Sequence, residues 1–220
     1  MTAQDVARAL PDIPTLRHRC QVLAVLEAIL YPDPGQRTHG FQVGWTPEAD
    51  LAWMDNGSGD EYSVVFTEAG AVVRGFDHES AMSPYASDDL DPWPGLVDDL
   101  PSDFHDFLAL PPFDQDDNLA VTALIWRRWN GTRWQTGEIT YPAGNDPDGS
   151  QWLFQLLVAQ SSSVYQEYVA GFDDRPVDRQ ALRALWHGAV LTESLAHKLN
   201  PAACWPEVRA EAEAVGFAVA

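Results

Sequence analysis

Residues 62–76 read Tyr-Ser-Val-Val-Phe-Thr-Glu-Ala-Gly-Ala-Val-Val-Arg-Gly-Phe. Two runs rich in β-branched and aromatic residues flank the short stretch Thr67-Glu-Ala-Gly70, a pattern typical of a β-hairpin. Gly70 favours a tight loop because glycine adopts positive φ at little steric cost. Apolar residues also alternate with polar or small ones over residues 39–53. The sequence therefore predicts an antiparallel meander of three or four strands over residues 39–76.

Helical patterns precede this predicted sheet. The stretch Thr2-Ala-Gln-Asp5 has the spacing of a capping box and predicts a short helix that ends before Pro11. A longer helix is predicted from Pro14 to Leu30, because apolar residues recur there every three to four positions. Its apolar stripe is wide, which indicates a well-buried helix.

Further strand and helix patterns follow the meander. Residues 119–129 have a strand pattern, and Asn130-Gly131 predicts a hairpin turn into residues 132–135. Residues 139–141 are a candidate for one more strand. A helix is predicted from residue 152 to about residue 170, and another from the cap at Asp178 to the stop at Asn200-Pro201. Pro206 begins a final short helix that ends before Gly216.

Together these patterns predict a single α+β domain over residues 1–220. Its antiparallel sheet, made of the meander and the Asn-Gly hairpin, would be packed by an N-terminal helix and a C-terminal helical layer. An irregular acidic segment, residues 77–118, interrupts the regular patterns and contains a possible short helix over residues 102–110. Long irregular segments within a domain are often functional, or they simply drape the surface.

The charge of the chain is strongly negative, with a formal net charge of -20 at pH 7. Residues 55–118 hold 16 acidic residues and one basic residue, Arg74. Such a region repels nucleic-acid phosphates and anionic membranes, whereas it attracts basic proteins and metal cations. Solubility alone would also explain it. No signal-peptide pattern or membrane-length apolar run is present, so a soluble cytoplasmic protein, monomeric or homodimeric, is expected.

Six residues of the acidic segment are candidates for a surface that binds a basic partner. They are Asp88, Asp89, Asp91, Trp93, Asp98 and Asp99. Exposed carboxylates supply long-range attraction, and tryptophan is frequent among the residues that dominate binding energy at interfaces. Trp126 and Trp129 differ by three positions, so in a strand they would face opposite sides, and one of them would lie off the main core.

Asp77, His78 and Glu79 are the candidate catalytic residues, because three ionisable side chains follow one another where a predicted strand ends. In an extended segment Asp77 and Glu79 would share one side, where they could hold a divalent cation or divide acid and base roles. His39, Asp60 and Glu61 are the candidates for further metal ligands. The alternative is that Asp77 and its neighbours cap the strand end through local hydrogen bonds and need no cofactor.

Other chemistries lack their sequence patterns. Cys20 and Cys204 have neither disulfide-scaffold nor zinc-ligand spacing, and no phosphate-binding glycine loop or nucleophile elbow is present. The stretch of residues 55–61 departs from the ligand spacing of a calcium-binding loop, so a hairpin turn explains it better. With Lys198 as the sole lysine, nucleic-acid binding is not expected.

Several segments resemble a family of uncharacterised actinobacterial proteins of comparable length. They are Arg74-Gly-Phe-Asp-His-Glu-Ser-Ala-Met-Ser-Pro-Tyr85, the Ala-Leu-Pro-Asp opening, Pro92-Trp-Pro-Gly95, and the loop from Pro142 to Gly149 with the Trp-Leu-Phe after it. This resemblance covers nearly the whole chain and implies no activity. In size, acidity and element order the chain is also similar to SUKH-type immunity proteins, a likeness at the level of fold alone.

Three functions remain open from the sequence. The leading expectation is a non-enzymatic, immunity-like interaction protein whose acidic face binds a basic partner. The first alternative is a metal-dependent, hydrolase-like enzyme centred on Asp77, His78 and Glu79. The second is an acidic mimic of nucleic acid.

Overall fold

The computed structural model describes residues 1–110, 114–115, 118–171 and 176–220. The strands are β1 (His39–Thr46), β2 (Ala49–Asp55), β3 (Glu61–Thr67), β4 (Gly70–Phe76), β5 (Asp114–Gln115), β6 (Asn118–Leu119) and β7 (Ala123–Arg128). Five of them form one antiparallel sheet in the order β1-β2-β3-β4-β7, and β5 pairs with β6 separately. The sheet and the helices around it confirm the predicted α+β class.

The predicted meander is present as four strands that are neighbours both along the chain and in the sheet. The turn between β3 and β4 needs a glycine at position 70 for a reason beyond loop geometry. A Cβ atom at Gly70 would overlap the backbone carbonyl oxygen of Arg127 in β7. The tight loop therefore also permits the close approach of β4 and β7.

The helices in the described sequence are α1 (Ala3–Ala9), α2 (Ile13–Leu30), α3 (His105–Leu108), α4 (Ser150–Leu153), α5 (Gln155–Val158), α6 (Ser163–Ala170), α7 (Arg179–Trp186), α8 (Glu193–Leu199) and α9 (Trp205–Ala214). Two of these helices precede the strands, α3 lies between β4 and β5, and the others follow β7. Helices α1 and α2 begin where the sequence predicted. Asp12 accepts a hydrogen bond from the backbone N–H of Thr15 at 3.0 Å, and Pro14 lies in the first turn of α2.

Helix α2 is the centre of the first hydrophobic core. It is buried on most of its circumference, and it packs on β1, α7, α8 and α9. The core around it joins residues from both ends of the chain, among them Leu23, Val64, Ile125, Leu185 and Phe217. Burial of this apolar surface on one face of the sheet is the main stabilising contribution of the helices.

The opposite face of the sheet carries a second core, and the irregular segment covers it. Residues 80–110, here named the acidic layer, point a series of apolar side chains at the sheet. These are Met82, Leu96, Leu100, Phe104 and Phe107, which pack with Val65, Val72, Leu124 and Trp126. The acidic layer is therefore a structural cover of the sheet, and the short helical turns at Ser102–Phe104 and His105–Leu108 belong to it.

Two strand predictions were wrong. The Asn130-Gly131 turn is followed by one isolated pairing, Trp126 with Gln135, because Trp134 leaves the sheet and donates its indole N–H to the Pro11 carbonyl at 2.6 Å. Residues 139–141 form no strand. The end of the predicted irregular segment, residues 111–113 and 116–117, lies outside the described residues.

Two helix predictions were too long. The single helix predicted over residues 152–170 is divided into α4, α5 and α6. The break between α5 and α6 contains Ser161, whose hydroxyl oxygen accepts hydrogen bonds from the backbone N–H and the hydroxyl of Ser163. The helix capped by Asp178 begins as predicted, with hydrogen bonds to the N–H groups of Gln180 and Ala181. It ends at Trp186, since Gly188 adopts a left-handed conformation with φ 87°.

None of the helices in the described ranges combines the length and the apolar character needed to cross a bilayer.

Candidate functional site

The antiparallel pairing of β3 and β4 builds the candidate site at one end of the sheet. Glu61 opens β3 and lies opposite Phe76, the last residue of β4. The residues just outside this pair, Asp60 and Asp77, are consequently neighbours. Together with His78 they place one potential metal-ligating atom each within 4.8 Å of one another.

Hydrogen bonds fix Asp60 and His78 in this cluster. Asp60 Oδ1 lies 2.7 Å from His78 Nδ1 and also accepts the backbone N–H of His78 at 3.2 Å. The second carboxylate oxygen accepts the side-chain N–H of Asn56 at 2.9 Å. The turn of residues 56–60, which the sequence predicted as a simple hairpin turn, thus supplies the residue that orients the imidazole.

Asp77 is held by the turn that follows β4. Its backbone N–H donates to Thr122 Oγ1 at 3.2 Å, and its carboxylate accepts the backbone N–H of Glu79 at 2.9 Å. Its side chain also packs directly on Gly149, where a Cβ atom would overlap it. These local bonds agree with the alternative in which Asp77 caps the strand end.

Relative to their ordinary values, the pKa values of Asp77 and His78 are raised and the pKa of Asp60 is lowered. Burial raises the pKa of Asp77, and the negative charges of Asp60 and Asp146 add to this, while the Glu79 N–H opposes it. Burial also pushes the pKa of Asp60 upward, but hydrogen bonds from His78 and Asn56 outweigh it and lower the pKa. The hydrogen bond to Asp60 raises the pKa of the exposed His78. The cluster therefore favours an ionised Asp60 beside a protonated imidazole.

The predicted alternation of Asp77, His78 and Glu79 was wrong. The prediction assumed an extended segment, whereas residues 78 and 79 form a turn. The turn brings His78 to the side of Asp60 and Asp77, and Glu79 lies exposed outside the cluster. A turn changes the direction of successive side chains, so the period of two no longer applies.

Two of the proposed metal ligands lie elsewhere. Glu61 forms an ion pair with the fully buried Arg74, whose Nη1 lies 2.5 Å from Glu61 Oε1. His39 lies in the first core, where its Nδ1 is 3.3 Å from Glu27 Oε1 and 2.8 Å from Thr38 Oγ1. Both residues therefore have structural partners, and among the described residues neither joins the cluster.

Glu27, the buried partner of His39, was not among the residues predicted from the sequence. Glu27 is 2% exposed and also accepts the backbone N–H of Thr38 at 3.0 Å. The sequence did contain a signal, because this carboxylate interrupts the wide apolar stripe of α2. Acidic residues are almost never fully buried unless they are paired, so a buried partner was to be expected.

The acidic layer places the predicted partner-binding carboxylates on the surface. Asp88, Asp89, Asp91, Asp98 and Asp99 are all exposed. None of them has an ion-pair partner within the part of the chain that the structure describes.

Trp93, the aromatic member of that predicted surface, has a different position. Its ring is half-buried against the second core, and its indole N–H donates to the Thr140 carbonyl at 3.0 Å. By contrast, Trp129 is 50% exposed while Trp126 is buried. Trp129 lies in the turn just after β7, so the alternation predicted for one strand does not account for its exposure. Trp93 therefore anchors the acidic layer to the rest of the protein, and its exposed part borders the carboxylates.

Fold and surface define an acidic α+β protein whose five-stranded antiparallel sheet is covered on both faces. No protein-family model matches the chain, and neither the curated proteins nor the solved structures provide a significant match. The two resemblances noted in the sequence therefore stay predictions.

Proposed function

We propose that this protein is an interaction protein that binds a basic protein partner through the exposed carboxylates of the acidic layer. The observation that carries the proposal is the two-sided construction of this layer. Its apolar side chains are buried in the second core, while five aspartates within twelve residues, from Asp88 to Asp99, lie at the surface and form no ion pair with any residue in the described ranges. In this proposal the protein works in the cytoplasm and catalyses no reaction.

Physical chemistry supports this use of the layer. A segment whose apolar side chains are anchored in a core presents its charges in a restricted arrangement, so the layer itself loses less conformational entropy when a partner binds. Carboxylates that lack an internal ion pair keep their full attraction for an approaching cationic surface. Concentrated charge of one sign mainly increases the association rate, and salt screens it over about 8–10 Å at moderate ionic strength.

A neutralised variant tests the proposal. In the layer variant, Asp88, Asp89, Asp91, Asp98 and Asp99 are each replaced by Asn. A matched control replaces five exposed carboxylates elsewhere by Gln, at Glu48, Glu68, Glu138, Glu167 and Glu207. Both variants change the net charge equally, so a difference between them reports the position of the charges.

The assay is a pull-down from the native host at roughly 50 mM and roughly 500 mM salt, a range over which screening increases severalfold. We expect wild type and control to retain a basic protein at low salt and to release it at high salt, and the layer variant to retain none. Equal retention by the layer variant, or no specific partner for wild type, contradicts the proposal.

The identity of the captured protein also distinguishes the two forms of this function that the sequence left open. A basic toxin as the partner supports the immunity-like form. A nucleic-acid-binding protein that duplex DNA displaces from the acidic layer supports the mimic form, because the two polyanions then compete for one cationic surface.

The cluster of Asp60, Asp77 and His78 favours a second candidate function, a divalent-cation site of a metal-dependent enzyme. Two carboxylates and an imidazole within 4.8 Å suit first-row metals such as manganese or zinc. The raised pKa values of His78 and Asp77 oppose binding, since a metal requires both residues deprotonated. For this reason the binding proposal is the stronger of the two.

Thermal melts separate the cation site from a structural cap. A cation that binds only the folded protein raises its melting temperature. In the second candidate function, magnesium, calcium, manganese or zinc stabilises wild type, and Asp60→Asn and Asp77→Asn abolish this effect. Glu79→Gln is the matched control, because Glu79 is adjacent in sequence but lies outside the cluster. A flat response of wild type to all four ions refutes the site.

A further inference from the structure

The outer edge of the sheet borders a cleft that the proposed function does not use. β1 is the terminal strand at this edge of the sheet, and α9 packs on α2. Between these elements lies a cavity of about 230 Å³. Ala24, Ala28 and Val215 line it on the helical side, and Gly40, Phe41 and Trp53 on the side of the sheet.

The hydrogen-bond pattern of β1 determines which backbone groups face this cleft. The Thr38 carbonyl accepts the N–H of Asp55 at 2.9 Å, and the pairing of β1 with β2 continues in the same register. In an antiparallel pair, alternate residues bond to the neighbouring strand, so Gly40 bonds toward β2 as Thr38 does. His39 and Phe41 then direct their N–H and C=O groups away from β2, toward the open edge.

These outward groups have no hydrogen-bond partner in the described part of the chain, and the two residues that carry them expose little surface. Phe41 is 6% exposed and His39 is 5% exposed. Across the described residues, no backbone or side-chain group forms a hydrogen bond with the main-chain N–H or C=O of either residue. A strand at the edge of a sheet presents such unpaired N–H and C=O groups, and these readily pair with a further strand. The cleft can therefore receive a hydrogen-bonding occupant.

The length of the cleft limits the occupant to a few residues. At one end, Arg37 and Glu211 close it with an ion pair, in which Arg37 Nη2 lies 3.1 Å from Glu211 Oε1. At the other end, Gly216 approaches the side chain of Val43. The two outward-facing residues of β1 are two positions apart, which corresponds to about 6.6 Å along a strand.

We infer that the cleft binds an extended peptide segment of about three residues, which adds one strand to the edge of β1. A strand is the occupant of choice, because its first and third residues can bond to Phe41 and His39 simultaneously through both N–H and C=O. A single small amide would satisfy one of these residues alone. The cleft binds such a segment whether or not the acidic layer holds a partner.

The same register defines the side chains of the bound segment. Directly opposed residues of an antiparallel pair have their side chains on the same face of the sheet. The first and third residues therefore face the apolar wall of Ala24, Ala28 and Val215, which suits valine. The middle residue lies opposite Gly40, where the Trp53 indole occupies the place of the missing Cβ. A lysine there contacts the indole face and is attracted by a chain of net charge -20.

The capped tripeptide Ac-Val-Lys-Val-NH2 is the probe, observed by amide NMR of the ¹⁵N-labelled full chain. We expect saturable shifts of the His39 and Phe41 amide signals and slower hydrogen exchange at both. A peptide with N-methyl groups on both valines lacks two donors but keeps its shape and charge, and we expect it to bind at least about tenfold more weakly. Ac-Val-Glu-Val-NH2 should also bind more weakly.

Two variants connect the response to the cleft. Ala28→Leu fills the cavity and should abolish the shifts, and Ala109→Leu, an equal change at an exposed position of the acidic layer, should leave them unchanged. Absence of shifts in wild type, equal binding of the N-methylated peptide, or an equal response to N-methylacetamide would overturn the inference. Shifts confined to the acidic layer would overturn it as well. These results leave the pull-down with the layer variant unaffected, so the two proposals fail separately.

Discussion

Removal of the Phe104 side chain tests whether the acidic layer is a true cover of the sheet. Phe104 is fully buried in the second core. A buried phenylalanine removes roughly 150–250 Å² from water, equivalent to about 4–6 kcal/mol at 25 cal/mol per Å². Alanine retains a small part of this burial, and an irregular segment relaxes partly into the space. We therefore expect Phe104→Ala to lower the free energy of unfolding by about 3 kcal/mol, near the lower end for such changes.

Urea denaturation followed by far-ultraviolet circular dichroism at neutral pH measures this loss. Phe154→Ala is the matched control, because Phe154 is equally buried in the first core, and it should cost about 3–5 kcal/mol. Asp98→Asn changes an exposed residue of the same layer and should cost less than about 0.5 kcal/mol. A loss below about 1 kcal/mol for Phe104→Ala, with the usual loss for Phe154→Ala, would refute the second core.

Three further predictions concern the helices, the cluster and the sheet. Leu23→Ala and Leu185→Ala should each cost about 2–5 kcal/mol in denaturant melts, since both side chains are buried in the first core; losses below about 1 kcal/mol at both would contradict that packing. The stabilising pair of His78 and Asp60 should be complete between the ordinary pKa values of 3.8 and 6.5. It should weaken as pH rises through the raised pKa of His78, so His78→Ala should cost more at pH 6 than at pH 9, and an equal cost would contradict the pair. Gly70→Ala should lower the melting temperature strongly, because its Cβ would overlap the backbone of β7, and an unchanged melt would exclude this close approach.

The regular part of the fold was predictable because local rules specify it. The strands of the meander alternate with a period of two, and Asp12 and Asp178 have the residue type and position of helix caps. Local hydrogen bonding also determines where these elements begin. The serines within residues 152–170 also form local hydrogen bonds, and these interrupt the helical region. The prediction gave more weight to the helical spacing of the apolar residues there and therefore missed the interruption.

The second core could not be predicted in this way. Leu96, Leu100, Phe104 and Phe107 recur at steps of three to four positions, yet they lie on separate turns and not on one helix, and Met82 lies well before them. Their shared direction toward the sheet is set by contacts distant in sequence, and a sequence pattern does not contain those contacts.

The sequence allowed the proximity of the two carboxylates in the candidate cluster to be predicted, but not the position of the imidazole. Asp60 and Asp77 flank a predicted hairpin, so their proximity follows from the pairing of β3 with β4. The direction of His78 depends on the turn after β4 and on the Asp60 carboxylate, which only the folded chain brings within 2.7 Å. The prediction for Glu79 failed for the same reason.

The acidic layer has one property that follows from how its backbone is bonded. Outside the short helix α3 and its cap, its main-chain hydrogen bonds among the described residues join positions three apart, such as Leu100 to Val97 and Phe104 to Pro101. No main-chain hydrogen bond within the described ranges joins it to the sheet, so its amides should exchange with deuterium rapidly while those of β4 remain protected. Such a layer can open as one unit without unfolding the sheet, and a bound cationic protein would oppose this opening. The rate of amide exchange in residues 80–110 would then report occupancy of the surface, even for a partner that leaves the average structure unchanged.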